Sequence, residues 1–320
     1  MNILNEIIKK AKMVDATIVL PEAHLDERVN SAAEIILKKK LSKIIVFGKE
    51  MDYPSIFKSE NCQIIDIENY EKLDELTASL YELRKAKGMT EEDAKTYIQN
   101  PAYFAMMLLK NGLADGVVAG AKFSTADTLR PALQIIKTKP DKKVVTGNML
   151  MVKKGFRPLV FGDVSLIEKP DSETLSEIAI SNAEFMQKVV GVEPKVAMLS
   201  YSTKGSAKGE MIDLVTTATK LAQEKSNYII DGEMQADTCF DEVVAKRKGI
   251  AGELAGKANV LIFPDLNAGN IGYKLTQRLG GFSAIGPIML NFNKPVNDLS
   301  RGCSVDEIVN TVCITKLQVE

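Results

Sequence analysis

Four short segments carry residue types suited to holding an anion and moving an acyl group. The first is residues 294–307, KPVNDLSRGCSVDE. Asn297, Asp298, Ser300 and Arg301 fall close together between Pro295 and Gly302, a composition that reads as a loop. A helix follows, with Ser304 as N-cap, Glu307 completing a capping box, and Ile308, Val309, Val312 and Leu317 at helical spacing. An arginine in a loop that opens a helix suits an oxyanion or a phosphate, because backbone N–H groups, the helix dipole and a guanidinium fork can all face it. A capped helix beside a surface arginine accounts for the same letters.

The second segment is 120–130, GAKFSTADTLR. A buried strand ends at Ala119, a glycine turn follows, and Ser124 or Thr125 caps a helix that carries Arg130. Such a strand–loop–helix unit is expected to present free N–H groups at the C-terminal edge of a sheet. The Gly-Lys-Ser/Thr element of a Walker A loop is missing. The third segment, 200–208 (SYSTKGSAK), holds Lys204 among hydroxyls, and the fourth, 264–274 (PDLNAGNIGYK), holds Asn267, Gly269, Asn270 and Gly272. Each reads as a phosphate cradle or as an ordinary turn; four in one chain favour an anion-binding cleft.

Three further residues have two readings each. Arg84, with Lys85 and Lys87, closes a helix before Gly88, where cations are favoured in any case, so a role for Arg84 in anion binding needs more than pattern. Cys303 beside Arg301 is either an acyl-accepting thiol or a small buried side chain. His24 is either a general base or an exposed loop residue. It is the sole histidine, so a multi-histidine metal centre is excluded and any Ser-His-Asp or Cys-His mechanism would have to use it.

The elements that position these residues alternate. Short apolar runs at 16–20, 43–47, 63–67, 116–119, 144–151, 158–161, 196–200, 228–231, 259–263 and 284–289 read as strands. Between them lie amphipathic stretches such as 25–39 and 71–87, with apolar residues every three or four positions. This alternation implies an α/β fold with mainly parallel sheets. A length of 320 residues suggests two domains. Polar 137–143 and Pro295 mark the crossings, giving a discontinuous first domain of 1–143 plus 295–320, a second of 144–294, and a cleft between them. The net charge of −1 offers no basic excess for nucleic acid. Four dispersed cysteines argue against a disulfide scaffold or zinc site. Residues 1–13 read as an amphipathic surface helix and no apolar run reaches membrane-spanning length, so a cytoplasmic protein with no membrane partner is expected.

Taken in order, RKAKGMT, ADGVVAGAKFSTADTLRPALQIIKT, MLSYSTKGSAKGE, DGEMQAD, AGKANVLIFPDLNAGNIGYKLTQRLGG and KPVNDLSRGCS span nearly the whole chain. Together they resemble the phosphate acetyltransferases of the phosphate acetyl/butyryltransferase family. The resemblance implies two α/β domains of isocitrate/isopropylmalate dehydrogenase-like architecture and a homodimer. It implies direct acetyl transfer between coenzyme A and inorganic phosphate in a ternary complex, with CoA as substrate and no tightly bound cofactor or metal. The partners are then acetyl-CoA, phosphate and acetyl phosphate. By the same resemblance Ser300, Arg301 and Glu307 are catalytic, Glu307 (with Asp306 beside it) standing where an acidic residue takes the CoA thiol proton. Arg84, Ser124, Thr125, Arg130, Lys204 and Asn270 are expected to bind substrate. AHLDER, after the LPE turn, departs from the family pattern, which usually has a glycine and one residue fewer there; two further stretches depart as well, GDVSLIEKPD and Leu290-Asn291-Phe292, the latter in place of a Gln-Gly-containing run. They leave a propionyl- or butyryl-transferring relative open, and a non-catalytic module binding CoA or acyl phosphate is a further alternative.

Overall fold

A computed structural model describes residues 3–319. Along the chain run α1 (Ile3–Ala11), β1 (Thr17–Leu20), α2 (Glu27–Lys38), β2 (Lys43–Phe47), β3 (Cys62–Ile65), α3 (Leu73–Arg84), α4 (Glu91–Ile98), α5 (Pro101–Lys110), β4 (Gly116–Ala119) and α6 (Thr125–Pro131). Then come β5 (Thr146–Val152), β6 (Leu159–Gly162), α7 (Ser172–Phe185), β7 (Lys195–Leu199), α8 (Glu210–Lys225), β8 (Ile229–Met234), α9 (Glu242–Arg247), β9 (Val260–Ile262), α10 (Leu266–Arg278) and β10 (Ser283–Leu290). The chain closes with β11 (Val296–Asp298) and α11 (Val305–Leu317). Among the described residues, no helix is long and apolar enough to cross a membrane.

Two compact units form. The first comprises Leu4–Lys139 and the chain from Phe292 onward; the second is Pro140–Asn291. The first holds a five-stranded sheet in the order β11-β4-β1-β2-β3, with every pairing parallel. Strands buried on both faces need apolar residues throughout, and Ile18, Val19, Leu20, Val117, Val118 and Ala119 are all buried. Helix α5 is apolar nearly all round and its residues from Ala102 to Leu109 are buried, with Asn100 capping its start and Pro101 at its first position. Helix α11 returns to pack on α2 and β4.

The second unit has a six-stranded sheet in the order β10-β5-β6-β9-β7-β8. It is mixed: β5 pairs antiparallel with β10 and β6, while β6-β9, β9-β7 and β7-β8 are parallel. Its core gathers Met149, Met151, Phe161, Ala197, Met234 and Leu261 from the sheet with Leu254 and Ala258 from the connections.

Two sequence expectations change at the local level. The stretch read as a loop around Asn297 and Asp298 is strand β11, paired Val296–Val117, Asn297–Val118 and Asp298–Ala119 with β4. Two of its three residues are polar, so no apolar run announces it, yet all three are buried. Asn297 is satisfied by Thr315 at 2.8 Å and Gln318 at 2.6 Å. The helix expected over 71–87 is shorter, ending at Arg84 in a 3-10 turn closed by Gly88 at φ 88°.

Candidate functional site

Strands β4 and β11 lie side by side and parallel, so the segments that leave them emerge together at one edge of the sheet. From β4 comes the loop 120–123 and then α6; from β11 comes the turn 299–303 and then α11. Gly120 is required where these segments cross. Its φ is 106°, and a Cβ there would lie 2.1 Å from Asp298 Oδ1 and 2.7 Å from the Leu299 nitrogen.

The loop after β4 is not the open cradle that its sequence suggests. The N–H groups of Gly120, Ala121, Lys122 and Phe123 all donate to Glu22, at 2.7, 3.0, 2.7 and 2.6 Å. Glu22 is fully buried, and a carboxylate so placed would cost several kcal/mol without such donors. The chain supplies its own anion to its own nest. Ser124 caps α6 in a capping box with Asp127. Thr125 donates its hydroxyl to Asp298 Oδ2 at 2.9 Å, tying the first turn of α6 to the end of β11. Burial pushes the Asp298 carboxyl up to about 6, against the pull of the Thr125 hydrogen bond.

Beyond that frame, cations stay available. Ser300 and Arg301 are exposed. Ser300 Oγ accepts the Gly302 N–H at 3.3 Å, which leaves its own hydroxyl hydrogen to donate. Arg301 makes no side-chain ion pair among the described residues. Arg130 is exposed in the last turn of α6. Arg84 closes α3, and its Nε is buried without an acceptor. Arg84 and Arg130 converge on Tyr103: burial and Tyr97 push the Tyr103 hydroxyl up, while both arginines pull it down. Tyr103 donates to Gln134 at 3.0 Å and is mostly buried.

Glu307 has its capping role in full. Its Oε2 accepts the Ser304 N–H at 2.7 Å and its own N–H donates to Ser304 Oγ at 3.3 Å. Its Oε1 takes no hydrogen bond among the described residues. Asp306 beside it is exposed. Cys303 is a buried small side chain: burial pushes its thiol up to about 11 although Arg28 pulls it down, the opposite of an activated nucleophile. His24 is exposed and lines a cavity of about 660 Å³ with Asp52, Asp66, Glu68 and Lys49.

Lys204 and Asn270 belong to the second unit, and each is committed within it. Lys204 forms an ion pair with Asp231 and donates to the Gly232 carbonyl at 3.1 Å. Asn270 donates to the Val164 carbonyl at 3.0 Å. The loop around Lys204 closes on buried Glu233, which accepts from Gly205 N–H at 2.8 Å, Ser202 at 3.0 Å and Thr216 at 3.1 Å. Burial works upward on Glu233, but these donors together hold it below the ordinary carboxylate value. Asp163 gathers the turn after β6 in a similar way, accepting from Thr146, Gly147, Ser165 and Leu166. At the departure Leu290-Asn291-Phe292, Asn291 takes a left-handed φ of 72°, and its side chain donates to Val144 and Ser181.

Sequence reasoning passed over Glu22, Arg28, Tyr103, Asp163 and Glu233. The available signal was a lone acid inside an apolar stretch, as in LPEA around Glu22, which burial alone could not favour without donors.

The chain is similar over its whole length to proteins of one family. A phosphate acetyltransferase of Acetivibrio thermocellus is 49% identical, the match covering 100% of this chain and 99% of that one. One of Bacillus subtilis is 44% identical, with 99% of each chain covered. A solved phosphotransacetylase of Staphylococcus aureus superposes with a TM-score of 0.89 at 44% identity, covering 99% of this chain and 98% of that one. One of Streptococcus pyogenes gives 0.91 at 40% identity with the same coverages. The sequence profile described as Phosphate acetyl/butaryl transferase matches residues 2–316, and the chain belongs to that family.

Proposed function

We propose that this chain is a phosphate acetyltransferase, converting acetyl-CoA and inorganic phosphate to CoA and acetyl phosphate, and the reverse, by direct transfer. The observation that carries the reading is the exposed Ser300–Arg301 turn, whose guanidinium has no carboxylate partner, beside α6 with Arg130. Full-length similarity to relatives named phosphate acetyltransferase supports it.

Phosphate and acetyl phosphate are dianions, and an unpaired arginine can grip them with two parallel hydrogen bonds. Arg301 takes the reacting phosphate. Arg84 and Arg130 bind the charged groups of the substrates, and the hydroxyls of Ser124 and Thr125 join them only by giving up Asp127 and Asp298. A phosphate oxygen attacks the thioester carbonyl, and the Ser300 hydroxyl donates to the oxyanion that forms, a contribution of about 3 kcal/mol for one good donor. The tetrahedral intermediate expels the CoA thiolate, which takes up the proton that Glu307 accepts from the attacking hydrogen phosphate. In reverse, the free Oε1 of Glu307 accepts the thiol proton and the thiolate attacks acetyl phosphate. Lys204 and Asn270 serve the substrate only by giving up the contacts they hold. CoA is a substrate, and no bound cofactor enters the scheme.

The same reading places the enzyme in the cytoplasm, where CoA thioesters are kept, and makes it a homodimer. Helix α10 with its C-cap Leu279 supports the latter: Ile271, Leu275 and Leu279 recur every four residues and are 56%, 53% and 83% exposed. Sedimentation at micromolar concentration checks this, and a monomer alone would remove it.

Phosphate-dependent loss of acetyl-CoA, with CoA thiol and acetyl phosphate both quantified, tests the function, with propionyl- and butyryl-CoA in parallel. Equimolar products from acetyl-CoA support it. Activity confined to the longer acyl groups reassigns the substrate, and CoA binding without turnover would leave a binding module.

A further inference from the structure

Arg28 stands in the first turn of α2. A guanidinium has five N–H donors, and here each meets an acceptor. Nε donates to Asp26 Oδ1 at 3.0 Å and Nη2 to Asp26 Oδ2 at 2.8 Å. Nη2 also reaches the Ala121 carbonyl at 2.8 Å. Nη1 donates to the carbonyls of Arg301 at 2.8 Å and Cys303 at 2.9 Å. The Asp26 fork fixes the plane of the guanidinium, so the remaining donors fall at set positions. Both backbone polar groups of Ala121 are thereby held, its N–H by Glu22 and its carbonyl by Arg28.

We propose that Arg28 is a positioning residue for acyl transfer: oriented by Asp26, it locks the turn bearing Ser300 and Arg301 to the loop that opens α6. This deepens the function proposed above and rests on it. The turn has little else to hold it, since its own bonds are Cys303 N–H to the Ser300 carbonyl at 2.8 Å and Gly302 N–H to Ser300 Oγ at 3.3 Å. Both working side chains are exposed, so packing reaches their backbone only through the buried neighbours Leu299 and Cys303. Arg28 touches neither substrate in this scheme; it sets where Ser300 aims its hydroxyl relative to the phosphate. Lysine offers three donors from one point and no plane, so it cannot reproduce the arrangement.

Acetyl transfer by the wild type, Arg28→Ala and Arg28→Lys, with kcat and each KM determined, tests this. A misplacement of about 1 Å costs on the order of 100-fold, so kcat falls by roughly 30- to 100-fold in both variants while each KM stays within about threefold. Arg28→Lys retains charge and stem and serves if the alanine variant does not fold. A second readout needs no turnover: labelling of Cys303 by a thiol-specific reagent, located by peptide mass spectrometry. It is slow in the wild type, where Cys303 is buried, and rises roughly tenfold in the variants as the turn opens locally. Wild-type kcat in Arg28→Lys, or unchanged Cys303 labelling, overturns the assignment. If the wild type itself transfers no acyl group, the proposed function fails while the labelling still decides whether Arg28 holds the turn.

Discussion

The turn 299–303 in the first unit and the loop 200–208 in the second unit share a sequence pattern: each follows a strand and sets a cation among serines and glycines. Their structures differ in what became of the cation. Lys204 is neutralised by Asp231, and the surrounding donors are taken up by Glu233. Arg301 has no such partner, while the donors of its neighbouring loop are taken up by Glu22 and its backbone is gripped by Arg28. An anion site therefore needs more than a basic residue in a turn. It needs the nearby backbone polar groups satisfied internally, so that the turn is stiff, and the cation left unsatisfied, so that it waits for substrate.

That contrast can be broken at several points. Apart from Arg301→Ala, the largest effect belongs to Glu307→Gln. A general base contributes about 100- to 10,000-fold, so kcat should fall by at least ~100-fold. Glutamine still accepts the Ser304 N–H, so the thermal midpoint should hold. Retained turnover assigns Glu307 to capping alone. Next come the paired substitutions Arg130→Ala and Lys204→Ala. Losing an unpaired arginine that grips a substrate anion should lower kcat/KM by roughly 10- to 100-fold, while Lys204→Ala should cost less than about threefold. Equal losses in steady-state assays would erase the difference between the units.

The smallest effect concerns pH. The Asp298 carboxyl is raised in the fold from an ordinary 3.8 to about 6 because it is buried. The native state then binds more protons than the unfolded chain between those values. Its contribution is most favourable below about pH 4 and is lost as pH rises through 6, a difference of at most roughly 3 kcal/mol. Relative to Asp298→Asn, the wild-type thermal midpoint should therefore gain as pH is lowered from 7 to 5. Parallel pH curves for the two proteins would contradict this.

Much of the fold was legible because parallel strands must be apolar on both faces. The runs around Ile44, Val117, Val196 and Leu261 announce themselves, and the helices between them carry three- and four-residue spacing. Strand β11 escaped because Asn297 and Asp298 are polar and are buried only through partners distant in sequence, Thr315 and Thr125. The exposed residues proposed for the site rest on family resemblance, since exposed arginines and serines have no packing pattern of their own. The supporting frame was not. Glu22 and Arg28 contact residues about a hundred and more than two hundred and seventy positions away, and no local spacing encodes such contacts.

In the proposed mechanism the unpaired guanidinium of Arg301, just beyond the end of β11, receives the reacting phosphate. The most direct test is acetyl-CoA cleavage by the wild type and Arg301→Ala across a phosphate titration, with CoA thiol and acetyl phosphate measured together. The account predicts equimolar, phosphate-dependent products from the wild type and a loss of roughly 1,000-fold in the variant at preserved thermal midpoint. Acetyl phosphate formation at the wild-type rate by Arg301→Ala would contradict it.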